Sequence, residues 1–226
     1  MRAVALLAAA GQGQRLQADV PKALLRVAGK PLLRFAMHAI DACLELEAVV
    51  VAAPTERWSE IVEMAKRSEK LIDVVEGGEN RHVSIRNALD AVPEGFDAVV
   101  CHDVARPFAP PTLFTAVLRA LDGADGAVPV LVVHDTVKRI EGRVVATTVP
   151  REGLALAQTP QAFRREALEA AHRAAALDGF TGTDDSVLVE RAGFRVLAVP
   201  GEPSNLKVTT SADLPMADAL AAGLGG

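Results

Sequence analysis

The chain has 226 residues, half of them hydrophobic, with 24 basic and 29 acidic residues and a formal net charge of −5. That length suits one large domain with a sizeable buried core. The slightly acidic balance excludes a global basic field able to hold nucleic acid by counterion release, so any anion site must be built locally.

The opening MRAVALLAAAG has the outline of a signal peptide. Its apolar run is at the short limit for one, and the residues that follow suit a phosphate loop better. Read instead as a buried strand, 4–9 is the first element. Residues 32–44 then show helical spacing, with Leu33, Ala36, Met37 and Ile40 on one face. A strand at 49–53 is followed by a helix at 56–66, a strand at 72–76 by a helix at 83–91, and a strand at 97–101 by a helix at 111–121. A strand at 126–133 precedes two short strands, 136–139 and 143–149, placed around Glu141-Gly142 as a hairpin. An isolated hairpin is marginal in water and must pack on something, for which a partner subunit is a natural candidate. Helices at 164–176 and 185–192, a strand at 194–199 and a helix at 211–222 complete the chain.

Continuous Val/Ala/Leu strands separated by helices predict an α/β fold, with helices on both faces of a mainly parallel twisted sheet. Ligands in such sheets bind at the carboxyl ends of the strands. No apolar stretch reaches the ~18 residues of a membrane helix. Cys43 and Cys101 each sit in an apolar run. They form neither a disulfide framework nor a zinc pattern, and read as buried filler in a reducing compartment, the cytoplasm.

The first strand runs into Ala8-Ala9-Ala10-Gly11-Gln12-Gly13-Gln14-Arg15-Leu16, then Pro21-Lys22. Glycines let backbone N–H groups approach a phosphate, small alanines leave room for a base or ribose, and Arg15 and Lys22 add two cations. A dinucleotide G-x-G-x-x-G fails because Leu16 stands at the third glycine. A Walker loop fails because no Gly-Lys-Ser/Thr follows. A tight turn with two solvated cations remains the plain alternative for this loop taken alone.

Further segments narrow the reading: Gly77-Gly78-Glu79-Asn80-Arg81-His82-Val83-Ser84-Ile85, His102-Asp103-Val104-Ala105-Arg106-Pro107, Asp135-Thr136-Val137-Lys138-Arg139, Thr159-Pro160-Gln161, Thr183-Asp184-Asp185 and Asn205-Leu206-Lys207-Val208-Thr209. In order and spacing, with the first loop, they resemble the 2-C-methyl-D-erythritol 4-phosphate cytidylyltransferase family over nearly the whole chain. Departures are Ala23-Leu24 after the Pro-Lys pair, Gln14 for a frequent arginine, and Val104 for an alanine.

The resemblance implies a Rossmann-like nucleotidyltransferase fold, one domain over 1–226 with a protruding dimerisation arm at about 134–152. It implies transfer of CMP from CTP to a sugar-alcohol phosphate in the non-mevalonate route to isoprenoids, with Mg²⁺ or another divalent cation. It places Arg15, Lys22, Arg151 and Lys207 at the reacting phosphates. Ala9, Ala10, Gly11, Gly13, Gly77, Gly78 and Ser84 would frame the nucleotide. Asp103, Arg106, Thr136, Thr159 and Thr183 would meet the acceptor, with Asp103 also the metal ligand. Thr183 could instead cap the helix after it, and His102 reads as a structural histidine. The arm would cross to a second subunit of a homodimer and deliver Thr136 and Arg151 there; no nucleic acid or membrane partner is implied. Two other activities share the loop: a cytidylyltransferase for another acceptor such as ribitol 5-phosphate, and a CTP-binding module without turnover. NADH binding would favour a dehydrogenase instead.

Overall fold

The computed structural model describes residues 1–11, 13 and 20–223. The first strand, β1 (Ala3–Ala8), is apolar throughout because both of its faces are covered. Ala3, Ala5 and Leu7 enter one core, Val4 and Leu6 the other, with the period of two that an extended chain imposes. A small hairpin, β2 (Arg26–Val27) and β3 (Lys30–Pro31), leads into α1 (Leu32–Ala42), whose Leu33, Ala36, Met37 and Ile40 form one buried face.

The αβ rhythm then runs as expected through β4 (Leu46–Ala53), α2 (Trp58–Ala65), β5 (Leu71–Glu76), α3 (Arg81–Asp90), β6 (Ala98–Asp103), α4 (Pro111–Arg119) and β7 (Gly126–Val132). Asn80 starts α3 because its side chain accepts from the Val83 N–H at 3.0 Å. Pro111 opens α4, where a missing N–H costs nothing. β1 lies between β4 and β6, parallel to both, and β5 extends the sheet beside β4.

The next two strands, β8 (Val137–Glu141) and β9 (Val144–Val149), pair with each other and with no other described strand. Their turn falls at Gly142-Arg143, one residue later than the sequence pattern suggested, with Gly142 at φ 60°. Ile140, Val144 and Val145 stand 54%, 67% and 57% exposed on this arm.

Besides β2 and β3, two strands of the main sheet escaped the sequence pattern. β10 (Ala155–Ala157) pairs antiparallel with β7, and β11 (Gln161–Arg164) runs antiparallel between β6 and β7. Strands of three or four residues are too short to display a period of two, and β11 is held in the sheet by partners distant in sequence, its own Phe163 fully buried opposite Val99. The helix expected from residue 164 is α5 (Arg165–Asp178), one residue later. It is followed by α6 (Asp185–Arg191), β12 (Val196–Pro200), parallel to β7, and α7 (Leu214–Gly223). The sheet is thus mainly parallel and covered on both faces, with a hairpin standing off it. Cys43 and Cys101 are buried free thiols. No described helix is long and apolar enough to cross a membrane.

Candidate active site

The carboxyl ends of β1 and β6 lie side by side, with Ala8 opposite Asp103 in the parallel register. A cavity of about 620 Å³ opens there, walled by Gly11, Gly13, Lys22, Gly78, Arg81 and Lys207 among others. The Lys22 N–H donates to the Gly11 carbonyl at 3.0 Å and closes the loop, and Gly13 takes φ 66°. Arg15 lies outside the described residues. Ala9, expected against the nucleotide, faces the core fully buried, its N–H donating to Ala52 at 2.8 Å. In a strand-like run alternate residues point the same way, so Ala8 and Ala10 are the ones that line the cavity.

The turn between β5 and α3 forms the facing wall. A Cβ on Gly77 would stand 2.1 Å from the Ala10 Cβ, so only glycine lets this turn meet the loop after β1. Ser84 Oγ accepts from the Gly78 N–H at 3.0 Å and donates to the Asn80 carbonyl at 2.9 Å. Its hydroxyl therefore holds the Gly77-Gly78 turn as well as lining the cavity.

Three linked charged groups, Arg81, Asp103 and Lys207, line the cavity, with Asp185 fully buried behind them. Arg81 Nε donates to Asp103 Oδ1 at 2.7 Å and Arg81 Nη1 to Asp185 Oδ2 at 2.7 Å. Lys207 Nζ reaches Asp103 Oδ2 at 2.8 Å. Burial pushes the Asp103 carboxyl up, but Arg81 and Lys207 outweigh it and hold it well below the usual carboxylate range. Asp185 is buried too, and Arg81 with His172 behind it brings its pKa down to about 2. Lys207 is positioned from two sides: Lys22 Nζ donates to the Val208 carbonyl at 2.9 Å, and the Val208 N–H to Ala105 at 2.8 Å.

Several expected contacts turn inward instead. Thr159 is 4% exposed; its Oγ1 accepts from the Asp103 N–H at 3.0 Å and sits 3.1 Å from His102 Nδ1. His102 Nε2 lies 3.1 Å from the Arg106 carbonyl, and burial lowers this imidazole to about 4, so it is a neutral structural group. Arg106 Nη1 and Nη2 donate to the Asn205 and Ala157 carbonyls at 2.9 and 3.1 Å, which makes it a brace between the end of β10 and the segment around Asn205 rather than part of the cavity wall. Thr183 is exposed and away from the cavity, and the residue that caps α6 is Asp184, accepting from the Val187 N–H at 3.2 Å. Thr136 is exposed on the arm, and Arg151 at its base donates to the His134 carbonyl. Arg81 and Asp185 lie within the sequence motifs without a role that the motifs assign; the signal for them is an arginine and a carboxylate in the same motifs as Ser84 and Thr183.

Among the described residues no three His, Cys, Asp or Glu side chains form a metal cage. Asp103 offers one carboxylate at the edge of a cavity with room for a phosphate-bearing ligand. That donor suits a magnesium-like ion, which binds through one or two carboxylates plus substrate phosphates and keeps its waters.

A family model described as 2-C-methyl-D-erythritol 4-phosphate cytidylyltransferase matches residues 3–222. A protein of that name from Saccharopolyspora erythraea is 43% identical, covering 98% of this chain and all of its own length. A bifunctional enzyme IspD/IspF from Granulibacter bethesdensis is 42% identical over 95% of this chain, which spans only 55% of that protein. The crystal structure of 2-C-methyl-D-erythritol 4-phosphate cytidylyltransferase from Thermus thermophilus superposes with a TM-score of 0.81 at 36% identity, covering 98% of this chain and 100% of that one.

Proposed function

The chain belongs to the 2-C-methyl-D-erythritol 4-phosphate cytidylyltransferase family, and from that premise we infer the reaction and the part each side chain takes in it. The enzyme transfers CMP from CTP to 2-C-methyl-D-erythritol 4-phosphate, giving 4-diphosphocytidyl-2-C-methyl-D-erythritol and pyrophosphate for isoprenoid synthesis. An acceptor phosphate oxygen attacks the α-phosphorus, and the bond to the β,γ-diphosphate breaks. The acceptor is already an anion, so no strong base is needed. The barrier lies in bringing two anions together and in the charge that builds at the α-phosphorus.

The observation that carries the assignment of roles is Lys22 and Lys207 on one cavity beside Asp103. Lys22, with Arg15 by its place in the sequence, stabilises the α-phosphorus and the departing pyrophosphate. Lys207 receives the acceptor phosphate. Gly11, Gly13, Gly77 and Gly78 admit the nucleotide against bare backbone, and Ser84 keeps that wall in place. Asp103 meets the acceptor hydroxyls or a divalent cation, Mg²⁺ by its chemistry, which when bound neutralises phosphate charge.

Residues 1–226 form one catalytic domain. Its arm carries apolar Ile140, Val144 and Val145 in the open, and these pack on a second copy in a homodimer, with Thr136 and Arg151 completing the neighbouring site. Two buried free thiols suit the cytoplasm. The test is pyrophosphate release from CTP and a divalent cation with either 2-C-methyl-D-erythritol 4-phosphate or ribitol 5-phosphate. Turnover with the first and little with the second is expected; CTP binding with no release on either acceptor would overturn the reading.

A further inference from the structure

Arg81 and Lys207 hold the same carboxylate in different ways. Arg81 is committed twice, to Asp103 and to Asp185, each at 2.7 Å, and its side chain is 21% exposed. Lys207 makes one ion pair, to Asp103 at 2.8 Å, with a side chain 42% exposed. Asp185 itself is fully buried, with His172 Nε2 at 3.5 Å from its other oxygen. Buried pairs resist the loss of one partner, whereas a single half-exposed lysine pair is weak and easily exchanged. An arriving phosphate can therefore take Lys207 from Asp103 far more readily than it can take Arg81.

We propose that Arg81, pinned by Asp185, is the positioning residue that keeps Asp103 in place while Lys207 passes from Asp103 to an incoming phosphate. The two cations and two carboxylates balance in charge before the ligand arrives. Once Lys207 leaves, Arg81 alone keeps Asp103 ionised and aimed into the cavity. Asp103 and Asp185 together fix two of the three guanidinium nitrogens in a planar fork, so Arg81 cannot swing to the triphosphate without breaking both pairs. Lysine could not do this, having one nitrogen where the arrangement uses two.

This inference rests on the reading that Asp103 and Lys207 serve the acceptor, and the experiment separates the two. Asp185→Asn, Arg81→Ala, Arg81→Lys and Asp103→Asn are compared by steady-state kinetics, with folding checked by circular dichroism. Asp185→Asn and both Arg81 variants are expected to lose on the order of 10²-fold in kcat/KM for the acceptor, the cost of a small misplacement, with the KM for CTP nearly unchanged. Added guanidinium at millimolar concentration is expected to restore part of the Arg81→Ala loss and none of the Arg81→Lys loss. If Asp185→Asn does not fold, the guanidinium rescue carries the test. Near-normal Asp185→Asn and Arg81→Ala beside a crippled Asp103→Asn would overturn the inference and leave the assignment of Asp103 standing. A near-normal Asp103→Asn would overturn both. A raised KM for CTP in Arg81→Ala without rescue would make Arg81 a triphosphate ligand and also overturn the proposal.

Discussion

Lys22 donates from Nζ to the carbonyl oxygen of Val208 at 2.9 Å, so the loop after the first strand grips the segment that carries Lys207. The two lysines come from opposite ends of the chain, and this contact makes them one unit. Lys22→Ala removes a cation and the grip together, and should lower kcat by on the order of 10²–10³, as losing one preorganised donor does. Lys207→Ala should do much the same. Because the residues act as a unit, the double variant should fall well short of the product of the single losses. Pyrophosphate release on all three variants measures this; fully multiplicative losses would mean that the lysines work independently.

Gly77, packed behind the cavity wall, and Gly11, on its lining, make a contrast. A Cβ on Gly77 would lie 2.1 Å from the Ala10 Cβ, an atom that cannot rotate away, while a Cβ on Gly11 would meet nothing within 4 Å among the described residues. Gly77→Ala should therefore cost about 1–3 kcal/mol of stability from overpacking. For a domain of this size that is a fall in Tm of roughly 2–12 °C. It should also raise the KM for CTP, because the wall that receives the nucleotide must shift. Gly11→Ala should leave Tm near the wild type. Calorimetry on both variants decides, and equal Tm values would remove the close approach as the reason for glycine at this turn.

Elements with a long enough pattern were legible in the sequence: β1, apolar on both faces, and α1, with its buried stripe of Leu33, Ala36, Met37 and Ile40. β11 was not legible, because four residues show no period and its place between β6 and β7 depends on partners distant in sequence. The site divides in the same way. Lys22, Asp103 and Lys207 could be named from motifs, but direction could not. Whether Thr159 points outward or bonds the Asp103 N–H depends on β10 and β11, and Arg106 is claimed by carbonyls of two segments distant in sequence, Ala157 in β10 and Asn205. Arg81 is not legible in the sequence, because one arginine in a motif does not announce that two buried carboxylates will meet it.

His102 gives stability a pH dependence with a defined sign. Its folded pKa of about 4 lies below the ordinary value of 6.5, because burial disfavours the imidazolium. Between those values the unfolded chain binds the proton and the folded chain does not. Stability is therefore full above pH 6.5 and declines as pH falls toward 4, by roughly 3 kcal/mol from this group at 1.36 kcal/mol per unit. Urea unfolding at pH 7 and pH 4.5 should display the loss, and His102→Gln, though less stable at neutral pH, should flatten the slope. An unchanged slope would assign acid sensitivity to other groups.

The arm lends itself to a test by mixing subunits. Ile140, Val144 and Val145 are more than half exposed on strands that pair only with each other among those described, an arrangement stable in water only if something covers it. If each arm completes the site of the other copy, a dimer of one Lys207→Ala chain and one Arg151→Ala chain carries both defects in one site and neither in the other. Random mixing makes half of the dimers mixed, so two nearly inactive proteins should together regain about one quarter of wild-type activity, as closed twofold symmetry requires. Val144→Glu with Val145→Glu should give monomers by light scattering and lose turnover with them. If mixing restores nothing while the proteins are dimeric and exchanging, the arm serves its own subunit, and Arg151 must then reach the cavity by folding back within one chain.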